Sequence, residues 1–76
     1  MEEVLRTIIE GLVENKEAIS IEQSEREGKE VYSVKVAHEE MGKIIGRQGK
    51  IAQSIRTVMK ALGAKEQKKI EIDFVD

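Results

Sequence analysis

Arg47, Gln48 and Lys50 fall within four positions, interleaved with Gly46 and Gly49, and Lys43 precedes the first glycine by three residues. A guanidinium, a carboxamide and two ammonium groups are donors suited to anionic oxygens. No Asp or Glu occurs from Gly42 to Lys65 to compete for them. Behind Gly49 runs "KIAQSIRTVMKAL", with Ile51, Ile55, Val58, Met59 and Leu62 at helical spacing. A helix starting at Lys50 would point its free N–H groups and the positive end of its dipole at the same place. The chemistry of this stretch is therefore the gripping of phosphate. A bare G-x-x-G by itself says only that two helices meet in a tight turn; the donors beside it, and the glycines' lack of side chains, add room for a sugar-phosphate backbone to approach the peptide.

Catalysis has little to work with. The chain has one His, His38, and no Cys, and its serines lie in strand, turn or helix contexts with no base in evident reach. The acidic residues of the first thirty positions show no metal-loop spacing and read as a solvated face. No catalytic residue, metal ligand or cofactor is expected. A formal charge of −2 looks unfavourable for a polyanion partner, but the charge is segregated. Residues 1–41 carry five Lys/Arg against eleven Glu, whereas residues 42–69 carry eight Lys/Arg against Glu66 alone. Local field steers a polyanion, and the basic block coincides with the double glycine.

Elements must position that block. The 76 residues suffice for one domain near the lower size limit, and no cysteine offers a staple. Val4, Leu5, Ile8, Ile9, Leu12 and Val13 predict a helix over 2–15. Ile19 and Ile21, then Tyr32, Val34 and Val36, alternate as two strands joined around Gly28, an antiparallel hairpin. A short helix is expected over 38–45 with His38 or Ala37 near its start, a second over 50–62 with Gly63 as its stop, and a last strand over 69–75. The class is α+β, in the order helix, strand, strand, helix, helix, strand. A helical crossover makes the central strand, 30–37, parallel to 69–75, in a three-stranded mixed sheet with three helices on one face. Base stacking on sheet aromatics, as in RRM domains, is excluded because Tyr32 and Phe74 are both in phase with the buried face.

The stretch "IIGRQGKIAQSIRTVMKAL" resembles the signature of the KH (K-homology) RNA-binding domain, and the element order is that of its type II, prokaryotic form. The resemblance covers the whole chain, residues 1–76 as a single KH domain with a core motif at about 29–76, and is closest in character to the small bacterial KhpA family. It implies that Gly46, Arg47, Gln48 and Gly49 clamp the backbone of about four unpaired nucleotides. It further implies that Lys43 and Lys50 add phosphate contacts and that Ile45 and Ile51 help floor an apolar groove. Many KH domains place an aliphatic residue three positions after the second glycine, where Ala52 stands here.

By the same resemblance the chain is a cytoplasmic RNA-binding protein acting as an RNA chaperone on single-stranded RNA. It would pair with itself or with a larger KH protein of the KhpB (Jag or EloR) type, and be linked to cell elongation, cell shape and peptidoglycan homeostasis. The acidic, amphipathic N-terminus is unlike a signal peptide and no run reaches membrane-span length. The competing reading is a protein-interaction module on a KH scaffold, using an apolar edge near Met59 and Leu62 of the 50–62 helix.

Overall fold

The structure, a computed structural model, describes residues 1–75. Helix α1 spans Glu2–Glu10, with Glu2 and Glu3 at the positive end of its dipole and Leu5 and Ile9 buried one turn apart. It ends five residues earlier than the apolar spacing predicts. The N–H groups of both Leu12 and Val13 return to the Ile9 carbonyl, so the chain tightens into turns after Gly11. Val13 still reaches the core from that turn, and this continuity is what made the helix look longer. A single 3₁₀ turn at Lys16–Ala18 leads into the sheet.

Strands β1 (Ser20–Arg26) and β2 (Lys29–Lys35) form the expected antiparallel hairpin, with Arg26 opposite Lys29. Its two linking residues, Glu27 (φ 54°) and Gly28 (φ 81°), are both left-handed, the pattern of a type I′ turn whose twist suits a hairpin. Strand β3 (Ile70–Phe74) pairs parallel to β2, Glu30 facing Ile70 and Val34 facing Phe74, so the order β1-β2-β3 puts β2 in the centre. Between them lie a 3₁₀ turn at His38–Glu40, helix α2 (Met41–Ile45) and helix α3 (Lys50–Lys65). The α+β expectation with a mixed sheet holds.

The three helices bury one face of the sheet. Leu5, Ile9, Tyr32, Val34, Ile44 and Met59 are at the centre of a single cluster. The other face carries Ser20, Glu22, Lys35 and Asp73 to solvent, with one exception. Val31 points to that open face yet is only 2 % exposed. Arg26 on β1 bonds Glu71 and Asp73 on β3 at 3.0 and 3.1 Å. A side chain joining the two outer strands spans about 9.6 Å and must cross β2, where Val31 sits. The ion-pair bridge is therefore also a roof, a partner for an apolar residue on the wet side.

Gly63 does not stop α3; the helix runs on to Lys65. A Cβ at Gly63 would run into the Ile70 side chain and lie 3.0 Å from the Lys68 carbonyl, so this glycine is there for close packing of helix on strand. The stop comes later, at Gln67 (φ 58°). The Lys68 N–H returns to the Gly63 carbonyl (2.8 Å) and that of Gln67 to Ala64 (3.0 Å), a Schellman closure with glutamine in the left-handed position usually given to glycine.

Candidate nucleic-acid interface

Gly46-Arg47-Gln48-Gly49 joins α2 to α3, and three of its four residues have positive φ: Gly46 at 77°, Gln48 at 57° and Gly49 at 74°. The two glycines are used differently. At Gly49 a Cβ would meet nothing within 4 Å, so the space above that peptide is open. At Gly46 a Cβ would lie 2.5 Å from Cγ1 of Ile51. The room left by the first glycine is filled by the protein's own isoleucine; only the second leaves space for a ligand. The φ 77°, ψ 175° conformation of Gly46 is in any case closed to residues with a Cβ.

Arg47, Gln48 and Lys50 project from this loop into solvent, and none pairs with a carboxylate among the described residues. No side chain caps the first turn of α3, which begins under the same loop. Three donors and a helix N-terminus thus converge on one exposed spot. Lys43 is placed otherwise. Its ammonium lies 3.0 Å from Glu40 and 3.3 Å from Glu14, and these carboxylates raise its pKa, the Glu40 hydrogen bond most of all. Of the sequence-predicted donors it is the one already engaged.

The predicted apolar floor is also divided. Ile45 packs half-buried against the core, while Ile51 is 36 % exposed and folded over Gly46. Ala52, the residue at the position where KH domains favour an aliphatic side chain, points into the core instead. Along α3, Ala52, Ile55, Met59 and Gly63 face inward. Arg56, Lys60 and Ala64 recur four apart on one flank; Ile51, Val58 and Leu62 hold the other. Met59 is fully buried and so is no part of a spare apolar edge; the exposed apolar residue there is Val58, at 46 %.

The flank bearing Arg56 borders the free edge of β3. Arg56 donates from Nε to the Ile72 carbonyl (3.2 Å) and lies 5.1 Å over the Phe74 ring. Farther along the same side of α3, a cleft of about 440 Å³ is lined by Lys29, Lys60, Ala64, Lys68, Lys69, Ile70 and Glu71, the last paired with Lys29 at 3.7 Å. The flank of α3 that borders β3 thus carries a cation stacked on an aromatic ring and, one to two turns farther on, a cleft that gathers four lysines and Glu71. Sequence reasoning counted these residues as charge but did not assign Arg56 or Phe74 to the site. The i, i+4, i+8 spacing of Arg56, Lys60 and Ala64 beside an edge strand was the available signal.

Among the described residues no group of three or more His, Asp or Glu could hold a metal ion, and no helix is long and apolar enough to cross a membrane. A family model described as KhpA/KhpB, KH domain matches residues 2–74. The chain is 40 % identical over 75 residues to the RNA-binding protein KhpA of Caldanaerobacter subterraneus subsp. tengcongensis, covering 99 % of this chain and 100 % of that protein. It is 38 % identical over 76 residues to the RNA-binding protein KhpA of Listeria monocytogenes, with both chains covered in full. The protein of the same name from Borreliella burgdorferi is 31 % identical over 74 residues, 97 % of this chain and 90 % of its own. No solved structure matches.

Proposed function

The chain belongs to the KhpA/KhpB family of KH domains, a non-enzymatic family, and from that premise we propose that it binds short single-stranded RNA as one KH unit over residues 1–76, the core motif at about 29–76. The observation that carries this reading is the GRQG loop, with its donors in solvent, the peptide at Gly49 unobstructed, and α3 starting behind it. Gly46 to Gly49 clamp the phosphate backbone, with Arg47, Gln48 and Lys50 as donors. The bases lie along the crease between α3 and β3, where a base can stack with Arg56 and Phe74. Lys60 and Lys69 receive the phosphates beyond, and Lys68 joins them only if phosphate displaces Glu30 and Glu66 from its ammonium. Lys43 joins only if phosphate displaces Glu14 and Glu40 from its ammonium.

Replacing Arg47 and Gln48 together by Asp tests the clamp. Asp tolerates the left-handed conformation at position 48, so folding should change by under about 1 kcal/mol. Anisotropy with a labelled single-stranded RNA should show binding collapse, because two negative charges face phosphate. For the wild type, neutralising roughly three phosphates gives a log–log salt slope near −2. A folded double variant with unchanged affinity and slope would remove the loop from the site and favour the protein-interaction reading.

The opposite flank of α3 supports a second activity alongside the first. Val58 and Ile51 are exposed there, Ile51 beside the loop at Gly46 and Val58 two turns farther along α3. They form a contact for a second copy of the chain or for a KhpB-type KH protein, a pairing that would let two weak grips act together. The proposed setting is the cytoplasm. A chaperone role on RNA, and a link with KhpB to post-transcriptional regulation, cell elongation and shape, and peptidoglycan homeostasis, are proposed on kinship alone.

A further inference from the structure

The most buried charged side chain in the described residues is a carboxylate that no phosphate-gripping role uses. Glu40 is 6 % exposed and stands at the cap position that opens α2. Its Oε2 accepts from the Glu14 backbone N–H at 2.7 Å and its Oε1 from that of Asn15 at 2.9 Å, across 26 and 25 residues of chain. Lys43, one turn later, closes on Oε2 at 3.0 Å. Both carboxylate oxygens are thus occupied, by donors from two separate parts of the fold.

The consequence lies in what α2 is. It has only five residues, too few to be stable as an isolated helix, and only Ile44 within it is fully buried. Its last hydrogen bond, from the Gly46 N–H to the Gly42 carbonyl, leads straight into the loop. Its apolar side meets the core through Ile44, with Met41 and Ile45 partly buried beside it, and Glu40 adds a polar fixed point at the opposite end from the loop. The N–H groups it accepts belong to the turn after α1, so the carboxylate straps the N-terminal third of the chain to the start of the GRQG helix. The backbone bonds from Glu14 and Asn15, followed by Lys43, hold its pKa down to about 2, so it is charged and fully able to accept.

We propose that Glu40 is a positioning residue for the GRQG loop: it orients α2 through the Glu14–Asn15 backbone, and Lys43 serves this strap before it serves any phosphate. The proposal rests on the RNA-binding reading of the loop and adds to it a contact some distance from the ligand. A loop that arrives already oriented avoids the ordering cost that a swivelling one meets on binding.

The test compares Glu40→Gln and Glu40→Ala with the wild-type chain. Readouts are thermal unfolding, the amide NMR resonances of Gly46, Gly49 and Gly28, and anisotropy with a short, randomised-sequence, fluorescein-labelled single-stranded RNA. Glutamine offers one acceptor oxygen in place of two and loses the charge, so it should weaken binding a few-fold. Alanine should weaken it on the order of tenfold, the scale of one charge-assisted hydrogen bond. The Gly46 and Gly49 resonances should move in both variants while that of Gly28, in the distant hairpin turn, stays. If a variant is folded and less stable but keeps wild-type affinity and wild-type Gly46 and Gly49 resonances, Glu40 is a stabilising group only and the proposal is overturned. Should Glu40→Ala not fold, the glutamine variant and Glu40→Asp decide by the same readouts. If the wild type itself does not bind the RNA, the functional reading fails; the glycine resonances still decide whether Glu40 orients the loop.

Discussion

The two glycines of one tetrapeptide do different work, and single substitutions should separate them. Gly46→Ala must both enter a forbidden backbone region and displace Ile51, so a loss of about 2–4 kcal/mol is expected in chemical denaturation. Gly49→Ala meets no neighbour and carries only the left-handed penalty, about 1–2 kcal/mol. Equal losses would contradict the packing of Ile51 over Gly46. Glu40 makes a prediction in pH. Its folded pKa, about 2, lies below the ordinary 4.5, so its contribution to stability is complete above about pH 4.5 and is lost as pH falls from there toward 2. The charged group that meets it is Lys43 from α2, which also pairs with the Glu14 side chain of the turn after α1. Urea midpoints of the wild type should fall more steeply across that window than those of Glu40→Gln, which has nothing to protonate there. Parallel curves would assign the acid sensitivity to other carboxylates.

Elements were legible where one periodicity ran undisturbed. The hairpin around Gly28, the parallel last strand and the long helix after Gly49 follow from alternation, helical spacing and the rule that a helical crossover returns parallel. Their ends were less legible, because ends depend on tertiary partners. Val13 kept the α1 pattern going past its last turn, and Gly63 was indistinguishable from a cap until Ile70 was seen against it. Val31 could not be read as buried, since its roof comes from Arg26 on one neighbouring strand and Glu71 on the other. Of the site, the loop was readable from residue types alone, while Arg56 on Phe74 required knowing which strand edge α3 borders. The Schellman closure yields the prediction that belongs here. Gln67→Gly removes a Cβ from a left-handed position and should raise stability by about 0.5–1 kcal/mol, read as a higher midpoint in urea. No gain would mean that the Gln67 side chain contributes more than its backbone strain costs.

At the scale of the whole molecule, α3 separates two surfaces: a basic flank along β3 and an apolar flank holding Ile51 and Val58. If the apolar flank carries assembly, Val58→Asp should leave the chain folded and shift sedimentation toward the monomer, with RNA affinity per site at high protein dilution unchanged. A wild type that stays monomeric at every concentration, with no KH partner captured, would leave the flank without that role. The parallel pairing of β2 with β3 has a further consequence, in time. β1 and β2 are closed by a two-residue turn, but Glu30 waits for Ile70, forty positions later in the chain. During synthesis the N-terminal helix and hairpin emerge first, while the strand that borders α3 comes last. Until Ile70 to Phe74 are laid down, Arg56 has no ring to lie on and no carbonyl to hold. A growing chain therefore displays the glycine loop before the crease between α3 and β3 exists.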